Sequence, residues 1–451
     1  MLKRLFTFWM AILGCCVLST NVFAALNHAE EFYLDNGLQV VVIPNHKAPI
    51  VKQIVMYKVG RIDEPVGKGG IAHFLEHLMF RGTDKFADGQ FEELIENNGG
   101  ISNAATSHDY TYYYQFLSVD RLELAMYLEA DRMTGLKISD KAFAKEQEVV
   151  FQERQQRLNA SPSSKFWEKY NRYLWNGSLY GEPVSGTSKE IRSITKQDVM
   201  DFYHQYYAPN NAVLILSGDI DVETAKELAQ KYYGKIASRT IGTKNDSLSL
   251  DENEFMQNES EIISRRRDVK VLRMAGSYVL PHYQGDDTSL YSLILLSDYL
   301  SGSVTSPVYQ KMIEKNHWAI SAETEFDYLN RGNSVFGAYA YFQNPQNKLK
   351  IKNTFKGIFK ETLDKLTEKE LEKTKERMLA GMTYHYDNPN DAADIVLKWL
   401  GAGYSLADIQ QFEDNINKVT LQQVLENMAM LNRIYPVWGE LQPLAEGTNE
   451  N

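Results

Sequence analysis

The sequence predicts an α+β fold made of two similar domains, each a mainly antiparallel sheet packed with helices. Three observations lead to this prediction. Runs of alternating and β-branched residues open the chain and are followed by helical patterns. A polar segment then divides the chain near its middle. The order of strands and helices before that segment recurs after it, at a period far too long for a solenoid.

The first domain begins with strands. Residues 31–46 predict two strands joined by an Asn-Gly turn, and residues 51–60 predict a third. Residues 69–83, GGIAHFLEHLMFRGT, predict a helix entered from glycine, and residues 91–100 predict a second helix closed by glycine. Residues 101–117 alternate like strands with a turn. Two longer helices are expected after them, within RLELAMYLEADRM and KAFAKEQEVVFQERQQRL.

Residues 237–263 are rich in Ser, Asn, Asp and Glu and predict a linker, part of which can still form an edge strand. The first domain is then residues 25–236 and the second residues 264–445. In the second half, residues 269–280 answer the strand at 51–60. The helix pattern SLYSLILLSDYLSGSV takes the place of the GGIAHFLEHLMFRGT helix, and EKELEKTKERMLAGM that of the helix EQEVVFQE. A duplicated ancestor explains this order, and chance similarity of two α+β domains is the alternative.

Residues 1–24 predict a secretory signal, with Lys3 and Arg4 before a short apolar run and cleavage after Ala24. A retained membrane anchor is disfavoured because the run is shorter than the roughly 20 residues that span a bilayer. Both cysteines, Cys15 and Cys16, lie in this segment, so the mature chain would contain no thiol. Lipoprotein acylation at Cys15 is the less favoured alternative. We therefore expect a periplasmic protein without a stable membrane span.

The charge balance excludes one class of partner. With 48 basic and 59 acidic side chains among 451 residues, the net charge is −11, and removal of Lys3 and Arg4 with the signal would make it −13. A polyanion such as nucleic acid is therefore not an expected partner.

The chemistry is concentrated in His73, Glu76 and His77. Two histidines four residues apart on a helix project from one face and can bind one metal ion. Catalytic zinc commonly has three protein ligands and leaves the fourth place to water, so a third N or O ligand is expected elsewhere. A bland alternative is an amphipathic helix with two ordinary histidines. With only nine histidines in the chain, chance produces this pattern in roughly one such chain in a hundred.

The His-x-x-Glu-His motif resembles that of the inverzincins of the pitrilysin and insulin-degrading enzyme superfamily, which includes the mitochondrial processing peptidases. The resemblance extends over nearly all of the mature chain. It is carried by GGIAHFLEHLMFRGT, ISNAATSHDYTYYY, EQEVVFQE, LYGEPVSGT and SITKQDVMDFYHQYYAPNNAVLILSGDI. The resemblance implies one zinc ion per chain, a peptidase with Glu76 as general base, and two domains that form a clamshell-like chamber for peptides or unfolded segments.

By the same resemblance, Glu153 is the third zinc ligand and Glu146 supports the ligands by fixing a histidine tautomer. A solvated helix face is the alternative for Glu146, and the favoured interpretation for Glu148. The edge strand that binds peptide in the family matches residues 101–106, with Asn103 and Ala104 as substrate-binding residues. Alternatively, Asn103 only shapes a turn.

One departure from the family concerns an Arg and a Tyr seven residues apart in the second domain, which help to bind substrate. The matching positions are Ile313 and Ile320, and neither side chain can donate a hydrogen bond. We therefore expect a heterodimer with a homologous partner that supplies the Arg/Tyr pair. The alternatives are that Tyr328 or Arg331 substitutes in this chain, or that the chain is a non-catalytic assembly or peptide-binding subunit.

Overall fold

The computed structural model describes residues 26, 28–242 and 259–444, so the predicted signal peptide and most of the predicted linker lie outside the described residues. The first sheet contains β1 (Glu30–Tyr33), β2 (Gln39–Pro44), β3 (Ile50–Tyr57), β4 (Ile101–Thr106), β5 (Thr111–Ser118) and β6 (Ala212–Gly218). The second contains β7 (Ser260–Arg266), β8 (Leu272–Leu280), β9 (Ser321–Asp327), β10 (Ser334–Phe342) and β11 (Val437–Pro443).

The helices of the first domain are α1 (Ile71–Leu78), α2 (Gln90–Asn97), α3 (Leu122–Gly135), α4 (Asp140–Asn159), α5 (Pro162–Leu174), α6 (Ser188–Ser193), α7 (Lys196–Tyr206) and α8 (Val222–Tyr232). Those of the second are α9 (Thr288–Ser301), α10 (Pro307–Tyr309), α11 (Lys348–Lys365), α12 (Glu368–Asp387), α13 (Pro389–Gly401), α14 (Leu406–Gln410), α15 (Phe412–Lys418) and α16 (Leu421–Leu431). A 3₁₀ turn at Arg61–Asp63 precedes α1, and a π-helical turn at Gln310–Glu314 follows α10.

The two sheets have the same topology, apart from the additional strand β1 at one edge of the first. The strand order is β1-β2-β6-β3-β5-β4 in the first and β7-β11-β8-β10-β9 in the second. In each sheet one pair is parallel, β2 with β6 and β7 with β11, and the other pairs are antiparallel. In chain order, strands β7 to β11 therefore correspond to strands β2 to β6, which confirms the predicted fold of two similar α+β domains.

The boundaries of the two domains remain a prediction, and the structure adds one observation about the linker. Strand β7 begins at Ser260, so the last residues of the predicted linker 237–263 belong to the second sheet. The helices that lead to β6 and β11 have Thr195 and Thr420 as N-cap residues. Their hydroxyls accept backbone N–H groups in capping boxes, as the repeated pattern predicts.

Each sheet is covered on one face by a helix from the other domain. The sequence of strand β2 fits burial on both faces of the sheet. Val40 and Val42 lie in one core, and Val41 and Ile43 lie in the other. A strand buried on both faces is uniformly apolar rather than alternating. The core that contains Val41 and Ile43 also contains residues of α13, which packs on the first sheet.

Helix α5 makes the reciprocal contact. Tyr170 donates a hydrogen bond of 2.9 Å to the carbonyl oxygen of Val437 in β11. Its ring lies so close to Gly439 that a Cβ there would be 2.3 Å away. On the other side, Lys52 of β3 pairs with Asp394 of α13 at 2.6 Å. These contacts fix the two domains against each other. Within the described part of the chain, no helix has the length and apolarity needed to cross a bilayer.

Candidate metal centre

Helix α1 carries the His-x-x-Glu-His motif at the surface of the first core. Its apolar side chains are buried in that core, and they are Ile71, Phe74, Leu75 and Leu78. His73 and His77 project from another face of the helix because they are four residues apart. Their ring centroids are 4.8 Å apart. The local sequence therefore presents two imidazoles side by side on a helix that packing holds in place.

Helix α4 brings Glu153 to these histidines. Its Oε2 lies 3.6 Å from Nε2 of His73 and 3.4 Å from Nε2 of His77. One ligand atom of each residue lies within 4.8 Å of those of the other two. Two imidazole nitrogens and a carboxylate oxygen are a donor set typical of catalytic zinc. The structure thus assembles the three predicted ligands, and their geometry fits the ion that the motif predicts.

A neighbouring carboxylate also fits such an ion. Glu146, almost fully buried, places Oε2 3.5 Å from Nδ1 of His77, on the other side of that ring from Glu153. A carboxylate there can fix the tautomer of a ligating histidine. Glu148, in contrast, is exposed and pairs with Arg192 at 2.7 Å.

The protonation of the three candidate ligands follows from these contacts. Burial, together with the nearby His77, lowers the pKa of His73 to about 4. Burial acts in the same direction on His77, but hydrogen bonds with Glu146 and Glu153 outweigh it and raise its pKa to about 9. The hydrogen bond with His77 lowers the pKa of Glu153 to about 2. Without a metal, His77 therefore carries the proton of this cluster.

Glu76 lies beside the ligands and contacts the edge strand. Thr106 Oγ1 of β4 donates a hydrogen bond of 2.5 Å to Oε2 of Glu76. Burial raises the pKa of Glu76, and the bond from Thr106 opposes that rise. A buried carboxylate with one fixed oxygen is arranged to move a proton with the other. No sequence pattern pointed to Thr106, although it lies two residues after Ala104 and therefore on the same face of β4.

Strand β4 is the edge of the first sheet among the described residues, because it pairs with β5 on one side only. Ala104 is opposite the buried Tyr113, on the face of the strand that meets α1, whereas Asn103 is opposite Tyr114 and turned to the other face. The Oδ1 of Asn103 accepts the N–H of Ala104 at 2.8 Å. The structure therefore places the two predicted substrate-binding residues on an edge strand beside Glu76, with their side chains on opposite faces.

Open space adjoins this centre along α4. A hollow of about 610 Å³ is lined by one face of that helix, including Glu153 and the exposed Val149. The remaining lining residues are Lys145, Glu148, Gln152 and Gln156. A substrate can therefore approach Glu153 from solvent.

The two candidate substitutes for the Arg/Tyr pair have other roles. Both Asp63 and Asp109 form ion pairs with Arg331, at 2.8 Å and 3.3 Å, so its guanidinium is not free for substrate. Tyr328 packs against Phe326 and Trp399, with ring centroids 5.6 Å away in each case. Neither Arg331 nor Tyr328 is therefore placed to substitute for the Arg/Tyr pair.

The matching isoleucines differ in exposure. Ile313 is half-buried in the π-helical turn, whereas Ile320, just before β9, is 54% exposed. An exposed isoleucine at the predicted position of a substrate-binding tyrosine leaves that position without a hydrogen-bond donor.

Comparison with known families gives two adjacent matches. Residues 39–188 match the family described as Insulinase (Peptidase family M16), and residues 193–378 match the Peptidase M16 inactive domain. The chain is 27% identical to zinc protease PqqE of Helicobacter pylori, over 88% of this chain and 89% of that protein. It is 30% identical to mitochondrial-processing peptidase subunit beta of Saccharomyces cerevisiae, over 45% of this chain and 44% of that protein.

Solved structures share the fold. A protease from Helicobacter pylori superposes with a TM-score of 0.82 at 24% identity, and the match covers 92% of this chain and 99% of that one. The periplasmic protease PqqL from Escherichia coli gives a TM-score of 0.76 at 18% identity, over 92% of this chain and 47% of that one. The matched part of each therefore has the architecture of two similar domains described above.

Proposed function

This chain belongs to the pitrilysin superfamily of peptidases, family M16, and we propose that it is a zinc-dependent endopeptidase that cuts peptides or unfolded segments. The observation that carries the proposal is the convergence of His73, His77 and Glu153 beside a buried carboxylate, Glu76. The similarity to a protein named zinc protease supports the same conclusion.

Each residue has a distinct task in this reaction. His73, His77 and Glu153 would hold the zinc ion, and Glu146 would orient His77. When bound, the ion supplies Lewis-acid activation of a water molecule and of the peptide carbonyl. Glu76 takes the proton of the attacking water and passes it to the leaving amine, while Thr106 keeps its carboxylate in place.

The edge strand provides the place for the peptide. An extended segment can add to β4 as a further strand, in which backbone hydrogen bonds bind peptides of many sequences. This mode requires an unfolded stretch of substrate, so compact proteins are poor substrates. Because Thr106 of β4 is hydrogen-bonded to Glu76, a peptide added to this edge would run beside Glu76.

The direct test is hydrolysis of an unfolded polypeptide by the purified mature protein, with the products identified by mass spectrometry. Removal of zinc with a chelator should abolish cleavage, and one equivalent of zinc per chain should restore it. Cleavage that persists in the metal-free protein would contradict the assignment. The replacement of the substrate-binding Arg and Tyr by Ile313 and Ile320 requires that this assay also include a partner chain.

We propose that the partner is a homologous chain that keeps the Arg/Tyr segment and lacks the zinc motif. The similarity to a protein named as a subunit of the mitochondrial-processing peptidase supports this arrangement. The same two isoleucines favour a second candidate function, that of a non-catalytic assembly or peptide-binding subunit. Binding of zinc without peptide hydrolysis, even after the partner is added, would identify that second function.

The proposed location is the periplasm. The signal-like residues 1–24 support it, as does the structural likeness to a protease described as periplasmic. Sequencing of the mature protein should give Ala25 as its first residue. An acylated Cys15 at the N-terminus would instead identify a lipoprotein.

A further inference from the structure

The N-terminus of the metal-binding helix α1 lacks a capping side chain of its own. The N-cap residue is Gly70, with φ at 90°, a conformation that favours glycine. A Cβ at Gly70 would lie 2.4 Å from the carbonyl oxygen of Ser185. No residue with a capping side chain fits there, so the first amides of α1 must find an acceptor elsewhere.

That acceptor is Glu64, whose side chain is fully buried. Its two carboxylate oxygens accept the N–H groups of Gly70 at 2.8 Å and Ala72 at 2.9 Å. Arg61 pairs with the same carboxylate at 2.7 Å. Burial raises the pKa of Glu64, whereas Arg61 and the two amides lower it, and both oxygens accept N–H groups as a carboxylate does. A carboxylate at a helix N-terminus also complements the helix dipole. Ala72 directly precedes the ligand His73.

The second domain holds the turn that carries Glu64. Arg331, in the loop between β9 and β10, places Nη2 2.8 Å from both carboxylate oxygens of Asp63. Asp63 also accepts the N–H of Gly60 at 3.0 Å, which closes the 3₁₀ turn next to Glu64. The guanidinium of Arg331 is mostly buried, and its Nε donates to Asp109 at 3.3 Å.

A tyrosine reinforces this contact between the domains. Tyr180 donates a hydrogen bond of 2.5 Å to Asp109, and its hydroxyl accepts the N–H of Gly332 at 2.9 Å. Both Arg331 and the next residue are thus bound to the first domain. The loop between β9 and β10 is therefore fixed at the base of α1.

We infer that Arg331 and Glu64 are positioning residues that set helix α1 in its metal-binding position, so that docking of the second domain controls the geometry of His73 and His77. The inference rests on the proposed function, because it takes α1 and α4 to hold one zinc ion. The chain of contacts runs from Arg331 to Asp63, through the turn to Glu64, and from Glu64 to the first amides of α1.

Zinc affinity distinguishes this role from simple adhesion between the domains. All three candidate ligands belong to the first domain, and Arg331 contacts none of them. If Arg331 only held the domains together, its loss would change turnover and leave zinc affinity unchanged. If Arg331 positions α1, zinc affinity must fall, because α1 would no longer be held against Glu153 on α4.

The experiment measures zinc affinity of the full mature chain by competition with a chromogenic chelator. Arg331→Met should weaken zinc binding 10- to 100-fold, the range typical for residues that orient metal ligands. Arg331→Lys keeps the charge and should give a smaller loss. The matched control is Arg377→Met, because Arg377 pairs with Asp298 wholly within the second domain. This control should bind zinc within about threefold of the natural protein, since it touches no residue of the turn.

A second variant tests the same path from its other end. Glu64→Gln should also weaken zinc binding, and its effect should not add to that of Arg331→Met, because both act through one turn. Unchanged zinc affinity in folded Arg331→Met, or an equal loss in Arg377→Met, would overturn the inference. If Arg331→Met does not fold, Arg331→Lys decides by the same criteria. Failure of the natural protein to bind zinc would instead reject the proposed function.

Discussion

Thr106 Oγ1 donates a hydrogen bond of 2.5 Å to Oε2 of Glu76, and this bond joins the metal-binding helix to the edge strand β4. The candidate base is thus tied to the strand on which we expect the substrate to lie. Because hydrogen bonding favours the charged form of a carboxyl group, Thr106 lowers the pKa of Glu76 while burial raises it.

Thr106→Val should therefore shift the pH dependence of hydrolysis. Because this hydrogen bond stabilises the charged form, its loss should raise the pKa of Glu76 further. Glu76 must be ionised to accept a proton, so the acidic limb of the kcat/KM profile should move to higher pH. Thr106→Ser keeps the hydroxyl and is the control. An unshifted acidic limb in the valine variant would show that the bond does not tune the base.

Glu76→Gln should separate catalysis from metal binding. Glu76 is not among the three ligands, so the variant should keep one zinc ion per chain. Its turnover should fall by about 10²- to 10⁴-fold, as expected for loss of a general base. Metal analysis and peptide hydrolysis on the same preparation check both statements. Near-normal turnover would remove Glu76 from the mechanism, and loss of zinc would make it a ligand.

Glu146→Gln should weaken zinc binding about 10- to 100-fold, because Glu146 lies against Nδ1 of His77 and orients that ring. Glu148→Gln is the matched control on the same helix, since Glu148 is exposed and pairs with Arg192. Competition with a chelator measures both affinities. Equal affinities for the two variants would mean that Glu146 is only part of the helix surface.

The sequence predicted the order of elements better than their contacts. Hydrophobic periodicity and turn signals are local, so the duplicated order of strands and helices could be predicted from the residues. The packing of α5 on the second sheet and of α13 on the first could not be predicted, because an apolar helix face does not specify which sheet it will contact. The expectation of a chamber between the two domains rested on the resemblance alone.

The same distinction applies to the candidate site. The spacing of His73 and His77 within one helix indicated a metal site directly. Glu153 lies 76 positions after His77, and only the resemblance connected the two. Thr106 and Glu64 were not predicted at all, because each acts through a contact with α1 that local patterns do not encode.

Metal-free protein should take up zinc with release of a proton. Burial keeps His73 neutral, with its pKa near 4, whereas hydrogen bonds to Glu146 and Glu153 raise that of His77 to about 9. Between these values His77 is protonated in the absence of metal and must lose that proton to become a ligand. Zinc affinity should therefore rise as the pH increases towards about 9. Calorimetry at pH about 7.5 in buffers of different ionisation enthalpy should give about one proton per zinc ion. No dependence of the heat on the buffer would contradict this assignment.

The last prediction concerns the partner. By the resemblance to the family, Ile313 and Ile320 match the positions of a substrate-binding Arg and Tyr. Arg331 is engaged with Asp63 and Asp109, and Tyr328 is packed in the second domain. None of these four side chains is therefore expected to stabilise the developing oxyanion from the second domain.

Loss of one such preorganised donor costs about 10²- to 10³-fold in rate, so the chain alone should be nearly inactive at every concentration. Addition of a homologous chain with the Arg/Tyr segment should restore turnover, and restoration should saturate at one partner per zinc-bearing chain. Replacement of the partner's Arg/Tyr pair by isoleucines is the control, because it should leave the assembly intact and abolish the gain. Full turnover by this chain alone would contradict the heterodimer hypothesis. If Tyr328→Phe also left that turnover unchanged, an internal substitute would be excluded as well, since Arg331 is already bound in the interface between the domains.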